Sequence, residues 1–201
     1  MRSGHRRTAT RVRDGRVQKK NNWELDRGDY VALEQDEIRL DRRPPGRGYR
    51  HLLTIADVRA FIALLPAWDE VAIGLDAIVL DAGSADCMGW HRLGVVAVCA
   101  WDHELWWTDC DPAWERDYRP VLDLIGVERE RVGECVAFRW TEAQARAFQL
   151  LDVLPHELGH HHDRITNRGG ARAARGEPYA EAYALRVMDE VWSAYADRFG
   201  V

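Results

Sequence analysis

The chain has 201 residues, of which 46% are hydrophobic and 30% are charged, as in an ordinary globular protein. This length is sufficient for one domain whose core needs no disulfide or structural metal. The sequence contains no run of 18 apolar residues, which argues against a transmembrane span. Its four cysteines form no CxxC pair, so a zinc ribbon or a disulfide framework is not expected. We expect reduced thiols and a cytoplasmic location.

Charge is distributed unevenly along the chain. Residues 1–20 contain eight arginines or lysines and one acid, Asp14, whereas the whole chain has a net charge of −5. The net of +7 in this segment leaves −12 for residues 21–201. Because the basic segment has almost no apolar residues, we predict a disordered tail over 1–20 and one domain over 21–201. Nucleic-acid contact by the tail is the less favoured interpretation of its charge, and the acidic domain does not favour broad phosphate binding.

The first predicted element of the domain is a helix over residues 54–65. Apolar residues recur there at three- and four-residue steps, Thr54 is suited to cap the start, and Pro66 ends the pattern. Polar residues and a Pro/Gly-rich loop precede this helix.

Branched apolar residues indicate strands in the middle of the chain, over residues 71–80 and 93–101. A polar break then separates 93–101 from 105–108, which predicts a hairpin, and a short helix is expected over 120–125. The chain has nine tryptophans, and we expect those near the hairpin to pack the sheet against the helices: Trp101, Trp106, Trp107 and Trp114.

The last third of the chain is predicted to hold one strand and two helices. Residues 134–140 alternate in part and indicate the strand. Thr141 followed by Gln144 has the form of a capping box, which predicts a helix from residue 142. Pro155 should kink or divide this helix, because proline lacks a backbone donor. A final helix is expected over residues 178–199.

Residues 156–160 read His-Glu-Leu-Gly-His, the HExxH pattern. Four residues are about one helical turn, so His156 and His160 lie on one face and can bind one metal ion. Glu157 stands beside them, near enough to an open metal position to take a proton from bound water. The pattern predicts a metal site with Glu157 as the general base.

A catalytic zinc ion usually takes three protein ligands and one water, so a third ligand is needed. Glu181 lies on what reads as the apolar stripe of the last helix. A carboxylate buried there without a partner would cost several kcal/mol, and a metal ion would satisfy it. We therefore predict Glu181 as the third ligand. The alternative is that Glu181 pairs with an arginine such as Arg164 or Arg186.

Other side chains remain open for this role. Glu177 is one turn earlier and is expected to cap the helix, whereas Asp163 is placed to face the metal or to orient a histidine. Cys135 is a further thiolate candidate, although its spacing to the histidines does not favour it. His161 and His162 fall on other helix faces and are expected to be exposed.

The HELGH string is followed, after about twenty residues, by Glu181 within Tyr-Ala-Glu-Ala-Tyr-Ala. This combination resembles the gluzincin metallopeptidases. It is similar in particular to the ImmA/IrrE group of small regulatory proteases. The resemblance covers residues 141–192. It implies an α+β zincin-like fold, in which a small, mostly antiparallel sheet packs on the HExxH helix and a C-terminal glutamate helix. It also implies one Zn²⁺ bound by His156, His160 and Glu181. One departure is Leu185, where thermolysin-type enzymes have an acid.

These features favour a zinc-dependent metallopeptidase that cleaves a protein or peptide substrate with a metal-activated water and Glu157. Tyr183 or Tyr179 is the expected donor to the oxyanion, because both flank Glu181. The resemblance further implies that an edge strand binds the substrate backbone, and residues 134–140 are suitably placed. Two alternatives remain open. One is a catalytically silent zincin-fold regulatory or binding module, and the other is a non-metal protein in which HELGH is coincidental.

Overall fold

The computed structural model of the protein describes residues 37–167 and 175–200, together with the backbone of two short N-terminal strands. These strands, β1 (Val12–Arg13) and β2 (Arg16–Val17), pair antiparallel. The remainder of the tail predicted over 1–20 lies outside the described residues. The described chain is α+β, with small sheets and helices, as the sequence predicted.

After β1 and β2 the elements follow in this order: β3 (Arg39–Arg42), β4 (Tyr49–Arg50), α1 (Ile55–Ile62), α2 (Trp68–Val71), β5 (Ala77–Asp81), β6 (Gly89–Arg92), β7 (Val95–Cys99), β8 (Trp101–Asp102), β9 (Trp106–Cys110), α3 (Pro112–Asp117), α4 (Arg119–Leu124), β10 (Glu128–Val132), β11 (Cys135–Arg139), α5 (Glu142–Phe148), a π-helical turn (Gln149–Val153), α6 (Leu154–Thr166) and α7 (Glu177–Phe199). None of the helices in the described part of the chain combines the length and apolar character needed to cross a bilayer.

The largest sheet has four strands in the order β3-β5-β7-β6. The strands β3, β5 and β7 are parallel, and β6 is antiparallel to β7. The expectation of a mostly antiparallel sheet is therefore wrong for this sheet. Every residue of β5 and β7 is buried, as is usual for parallel strands covered on both faces. Within the described residues β6 pairs with β7 alone, so it forms an edge of the sheet.

A second sheet has three antiparallel strands in the order β10-β11-β9. The hairpin predicted from residues 93–101 to 105–108 is wrong, because β7 and β9 belong to different sheets. The strand predicted over 134–140 is present as β11. It lies between two neighbours, so neither of its edges is open to the substrate backbone that the resemblance would place there.

Aromatic side chains fill the space between the second sheet and α5. The ring centroid of Trp101 lies 4.9 Å from that of Trp107 and 5.1 Å from that of Trp140. Phe148 of α5 contacts the same cluster. The tryptophans therefore pack the sheet against the helices, as predicted, with the exception of Trp106, which is 56% exposed.

The interruption predicted at Pro155 is confirmed. The capping box at Thr141 starts α5, and the Gln149–Val153 segment then widens into a π-helical turn. Pro155 lies in the first turn of α6. Proline has no N–H and crowds the carbonyl four residues earlier, and the wider turn accommodates both effects.

The two C-terminal helices approach each other closely at Gly159. A Cβ atom placed on Gly159 would lie 2.9 Å from the Cα of Ala180 and 3.0 Å from the Cβ of Tyr183, which is closer than carbon atoms normally approach. The absent side chain therefore lets α7 lie directly on the HExxH helix. This contact brings the first turn of α7 over the histidines.

Replacing Gly159 with alanine tests this contact. Helix propensity alone would make the variant more stable by about 1 kcal/mol. We expect the opposite sign, since overpacking against Ala180 costs about 1–3 kcal/mol. Thermal or urea unfolding measures the net change. Glu181→Ala, on the exposed side of α7, is the control and should change the stability little. A stabilised Gly159→Ala variant would contradict the close packing.

Candidate metal centre

The two histidines of the HExxH pattern meet as their spacing predicted. His156 and His160 lie one turn apart on α6, and their Nε2 atoms are 3.1 Å apart. Their side chains are 23% and 20% exposed, so each ring is held in place but still reaches the surface. The pair therefore presents two ring nitrogens to one point at the edge of the protein.

The third member of the group is Glu177, the first residue of α7. Its Oε2 atom lies 3.3 Å from Nε2 of His156, and its Oε1 atom lies 3.6 Å from Nε2 of His160. Within the described ranges this is the group of three or more potential ligands whose atoms all lie within 4.8 Å of one another. Gly176 is the N-cap of α7, so Glu177 does not have the capping role expected from the sequence. Its side chain lies beside the two histidines instead.

The structure does not bring Glu181 to the histidines, and its placement as the third ligand is corrected. Glu181 is exposed, one turn beyond Glu177. The apolar stripe predicted to include Glu181 has the wrong phase, because Glu181 and Leu185, one turn later on the same side of α7, are both exposed. The residues that do form the stripe are Ala180, Tyr183, Ala184, Val187, Met188, Val191 and Tyr195. Ala180 and Ala184 belong to this stripe, but a pattern that counts only large apolar residues leaves them out.

The distances within the group are close to those around a tetrahedral metal ion. Zinc bound to imidazole nitrogen and carboxylate oxygen has bonds of about 2.0–2.2 Å, which gives an edge of about 3.3–3.6 Å between neighbouring ligands. The two Nε2 atoms are 3.1 Å apart, Oε2 of Glu177 lies 3.3 Å from Nε2 of His156, and Oε1 lies 3.6 Å from Nε2 of His160. One donor atom from each residue can be chosen so that all three lie within 4.8 Å of one another. Two imidazoles and one carboxylate are also the donor types of a three-ligand zinc site that keeps one position open.

Without a metal the same residues form an ion pair. Burial by itself would lower the pKa of His156, but its hydrogen bond with Glu177 and the nearby carboxylates of Glu157 and Asp152 raise it to about 9. The hydrogen bonds from His156 and His160 hold the pKa of Glu177 far below its ordinary value. At neutral pH the metal-free centre therefore contains an imidazolium next to a carboxylate. A metal ion must displace that proton.

Glu157 is buried beside the group, with 8% of its surface exposed. It packs against β6 at Gly89, where an added Cβ would lie 3.0 Å from the Cγ of Glu157 and 2.7 Å from a methyl carbon of Val153. The missing side chain at Gly89 thus leaves room for the glutamate between the sheet and α6.

A cleft opens in front of the three ligand candidates and Glu157. Its lining comes from the approach to β6, the junction of α3 and α4, the π-helical turn, and the two C-terminal helices: Asp86, Cys87, Met88, Gly89, Tyr118, Asp152, Val153, His156, Glu157, His160 and Glu177. Tyr118 was not singled out from the sequence, since it lies 38 residues before His156 with no spacing pattern to connect them.

Tyr183, the donor predicted from the sequence, lies elsewhere. It is 5% exposed and packs against α6, with its ring centroid 5.4 Å from that of His162. Burial raises the pKa of Tyr183 to about 12. Its neighbour in the prediction, Tyr179, shares a hydrogen bond with Nδ1 of His162 at 2.7 Å. Tyr118 therefore replaces Tyr183 as the phenol that lines the cleft.

The other histidines near the centre have structural contacts. His161 is fully buried, contrary to the exposure expected for it, and its Nε2 atom lies 3.0 Å from the carbonyl oxygen of Ile73. His91 of β6 stacks parallel to His160 with ring centroids 6.5 Å apart. Burial lowers the pKa of His91 to about 3, so its ring is neutral.

The remaining ligand candidates stand outside the group. Cys135 begins β11 in the second sheet. Asp163 follows the histidines on α6 and contacts the two residues that precede Glu177.

Comparison with models of known families, with curated proteins and with solved structures found no match for this chain.

Zinc binding by Glu177→Ala and Glu181→Ala distinguishes the two candidate ligands. We expect the Glu177 variant to bind zinc at least about 100-fold more weakly, since it removes one of three protein donors. The Glu181 variant should bind as tightly as the wild type. Competition with a coloured chelator measures both affinities. Equal losses in the two variants, or a loss in the Glu181 variant alone, would contradict the ligand set.

Zinc affinity should also depend on pH. The imidazole of His156 binds a metal only when neutral, and its pKa of about 9 means that a proton competes below this value. The apparent affinity should therefore rise about tenfold per pH unit between pH 7 and 9 and then rise less steeply. Glu177→Gln removes the carboxylate that hydrogen-bonds to His156, one of three that raise its pKa, so the slope of this variant between pH 7 and 9 should be smaller. Titration with zinc buffered by a chelator at several pH values measures the slope, and equal slopes would contradict the role given to Glu177.

Proposed function

We propose that this protein is a zinc-dependent metallopeptidase with a zincin-like arrangement of its HExxH helix. The observation that carries the proposal is the short spacing within the group, with the buried carboxylate of Glu157 in the same cleft. The two Nε2 atoms are 3.1 Å apart, and each lies 3.3 or 3.6 Å from one carboxylate oxygen of Glu177. The donor spacing supports a bound metal. The adjacent carboxylate, which is not one of the three donors, supports a hydrolytic use of that metal.

The ligands in this proposal are His156, His160 and Glu177. When bound, zinc would supply Lewis acidity and a water of lowered pKa. Glu157 would orient the attacking water, accept its proton and pass that proton to the leaving amine of the peptide. Packing against Gly89 limits the movement of the Glu157 side chain, so its carboxylate is held toward the cleft.

Tyr118 is the proposed donor to the oxyanion that forms as the peptide carbonyl is attacked. Its ring is held by Trp114 and Phe148, with centroids 4.7 and 5.4 Å away. A phenol fixed by the aromatic core needs little reorganisation during the reaction, which is the condition for effective electrostatic stabilisation.

The edge strand β6 is the proposed site for the substrate backbone. It runs beside α6, and Gly89 at its start lines the cleft next to Glu157. An extended peptide added to this edge would gain backbone hydrogen bonds and would pass in front of the ligand group. The substrate class is therefore a protein segment or peptide in an extended conformation. This replaces the assignment of substrate pairing to residues 134–140.

Glu157→Gln tests the function. Zinc-loaded wild type should cleave members of a proteome-derived peptide library, as detected by mass spectrometry. We expect the variant to lose about 10²–10⁴-fold in rate, because the general base is removed, and to keep one zinc per chain.

In the same assay Tyr118→Phe should lower kcat by about 10²–10³-fold with zinc content unchanged.

Two results would contradict the proposal. If the wild type binds zinc but is as inactive toward peptides as Glu157→Gln, the result would favour the catalytically silent binding module. A wild type that binds no zinc would show that the HExxH pattern is coincidental.

A further inference from the structure

We propose that Asp163 is a positioning residue that holds Glu177 in the metal centre. This inference rests on the proposed function only in taking Glu177 as a metal ligand. Asp163 lies on α6, three residues after His160, and is 2% exposed. It is thus part of the same rigid helix as the two histidine ligands.

Both carboxylate oxygens of Asp163 accept hydrogen bonds from the residues that lead into α7. Oδ1 accepts from Nε of Arg175 at 2.7 Å, and Oδ2 accepts from the backbone N–H of Gly176 at 2.9 Å. Glu177 is the next residue in the chain. One buried side chain therefore fixes two consecutive residues immediately before the proposed ligand.

The backbone at Gly176 makes this connection sensitive. Its φ of 70° and ψ of −148° belong to a region that glycine alone adopts readily. Gly176 is the N-cap, the residue immediately before α7, and it has no side chain with which to cap the helix. The first turn of a helix has unsatisfied N–H groups and frays most easily. The hydrogen bond from the N–H of Gly176 to Asp163 ties the start of α7 to α6, the helix that holds the histidines.

Arg175, which donates to Asp163, also contacts residues on both C-terminal helices. Its Nη2 donates to Oγ1 of Thr166 at 2.7 Å, and its guanidinium carbon lies 3.7 Å from the ring centroid of Tyr179. These contacts connect the end of α6, the turn before α7 and the first turn of α7. The arrangement fixes the direction in which the Glu177 side chain leaves its helix.

A double-mutant cycle between Asp163 and Glu177 tests the inference, with zinc affinity measured by chelator competition as the readout. Asp163→Asn keeps the size of the side chain but replaces one carboxylate oxygen with an NH₂ group. Only one oxygen then remains to accept from the two donors, Arg175 Nε and the Gly176 N–H. We expect it to weaken zinc binding about 10- to 100-fold in the wild-type background. In the Glu177→Ala background it should change the affinity less than about twofold.

Asp189→Asn, an exposed acid on α7, is the matched control for the change in net charge and should leave zinc affinity unchanged. Circular dichroism of the metal-free proteins checks that each variant is folded. If Asp163→Asn does not fold, Arg175→Ala replaces it. That substitution removes an exposed side chain and one of the two bonds to Asp163, and its smaller loss of affinity should likewise disappear in the Glu177→Ala background.

An equal loss of affinity in both backgrounds would overturn the inference, because it would show that Asp163 stabilises the fold without acting through Glu177. Unchanged affinity in Asp163→Asn would overturn it as well. Both results leave the proposed function standing, since the wild type still binds zinc. Failure of the wild type to bind zinc would instead overturn the proposed function and this inference with it.

Discussion

The close contact between α6 and α7 at Gly159 is the constraint on which the rest of the centre depends. Two helices of 13 and 23 residues can pack in many registers, but a contact this short admits few, because only a residue without a side chain permits it. The register places position 177, and not position 181, above His156 and His160. The composition of the ligand group is thus decided by a glycine that is not itself a ligand.

The same group of side chains suits two charge states. With a proton on His156, the imidazolium and the Glu177 carboxylate neutralise each other, and in the proposed metal-bound state both side chains would be ligands. The carboxylate is therefore never left at this half-buried position without an opposite charge, which would be costly. Because the three side chains already lie within 4.8 Å of one another, a metal ion that binds there would displace a proton and would find its ligands already gathered.

The sequence predicted those parts of the centre that depend on local spacing. The four-residue step from His156 to His160, the capping box at Thr141 and the break near Pro155 are all short-range patterns, and all appear in the structure. The third ligand was misassigned because positions 177 and 181 differ by one turn, and only the packing of α7 on α6 selects between them. The false hairpin has the same origin, since β9 pairs with β11, about thirty residues later, and not with the nearby strand β7.

The π-helical turn at Gln149–Val153 sets the rotation between two helices with different tasks. In a regular α-helix each residue advances the side-chain direction by about 100°, so the core-facing side of α5 would fix the orientation of every later residue. The wider turn takes up one extra residue and breaks this dependence. Phe148 can face the aromatic core while His156 and His160, more than two turns later, face the cleft. Loss of a single residue from this turn would therefore rotate the face of α6 that presents His156 and His160 by about a quarter of a circle, even though neither histidine had been altered.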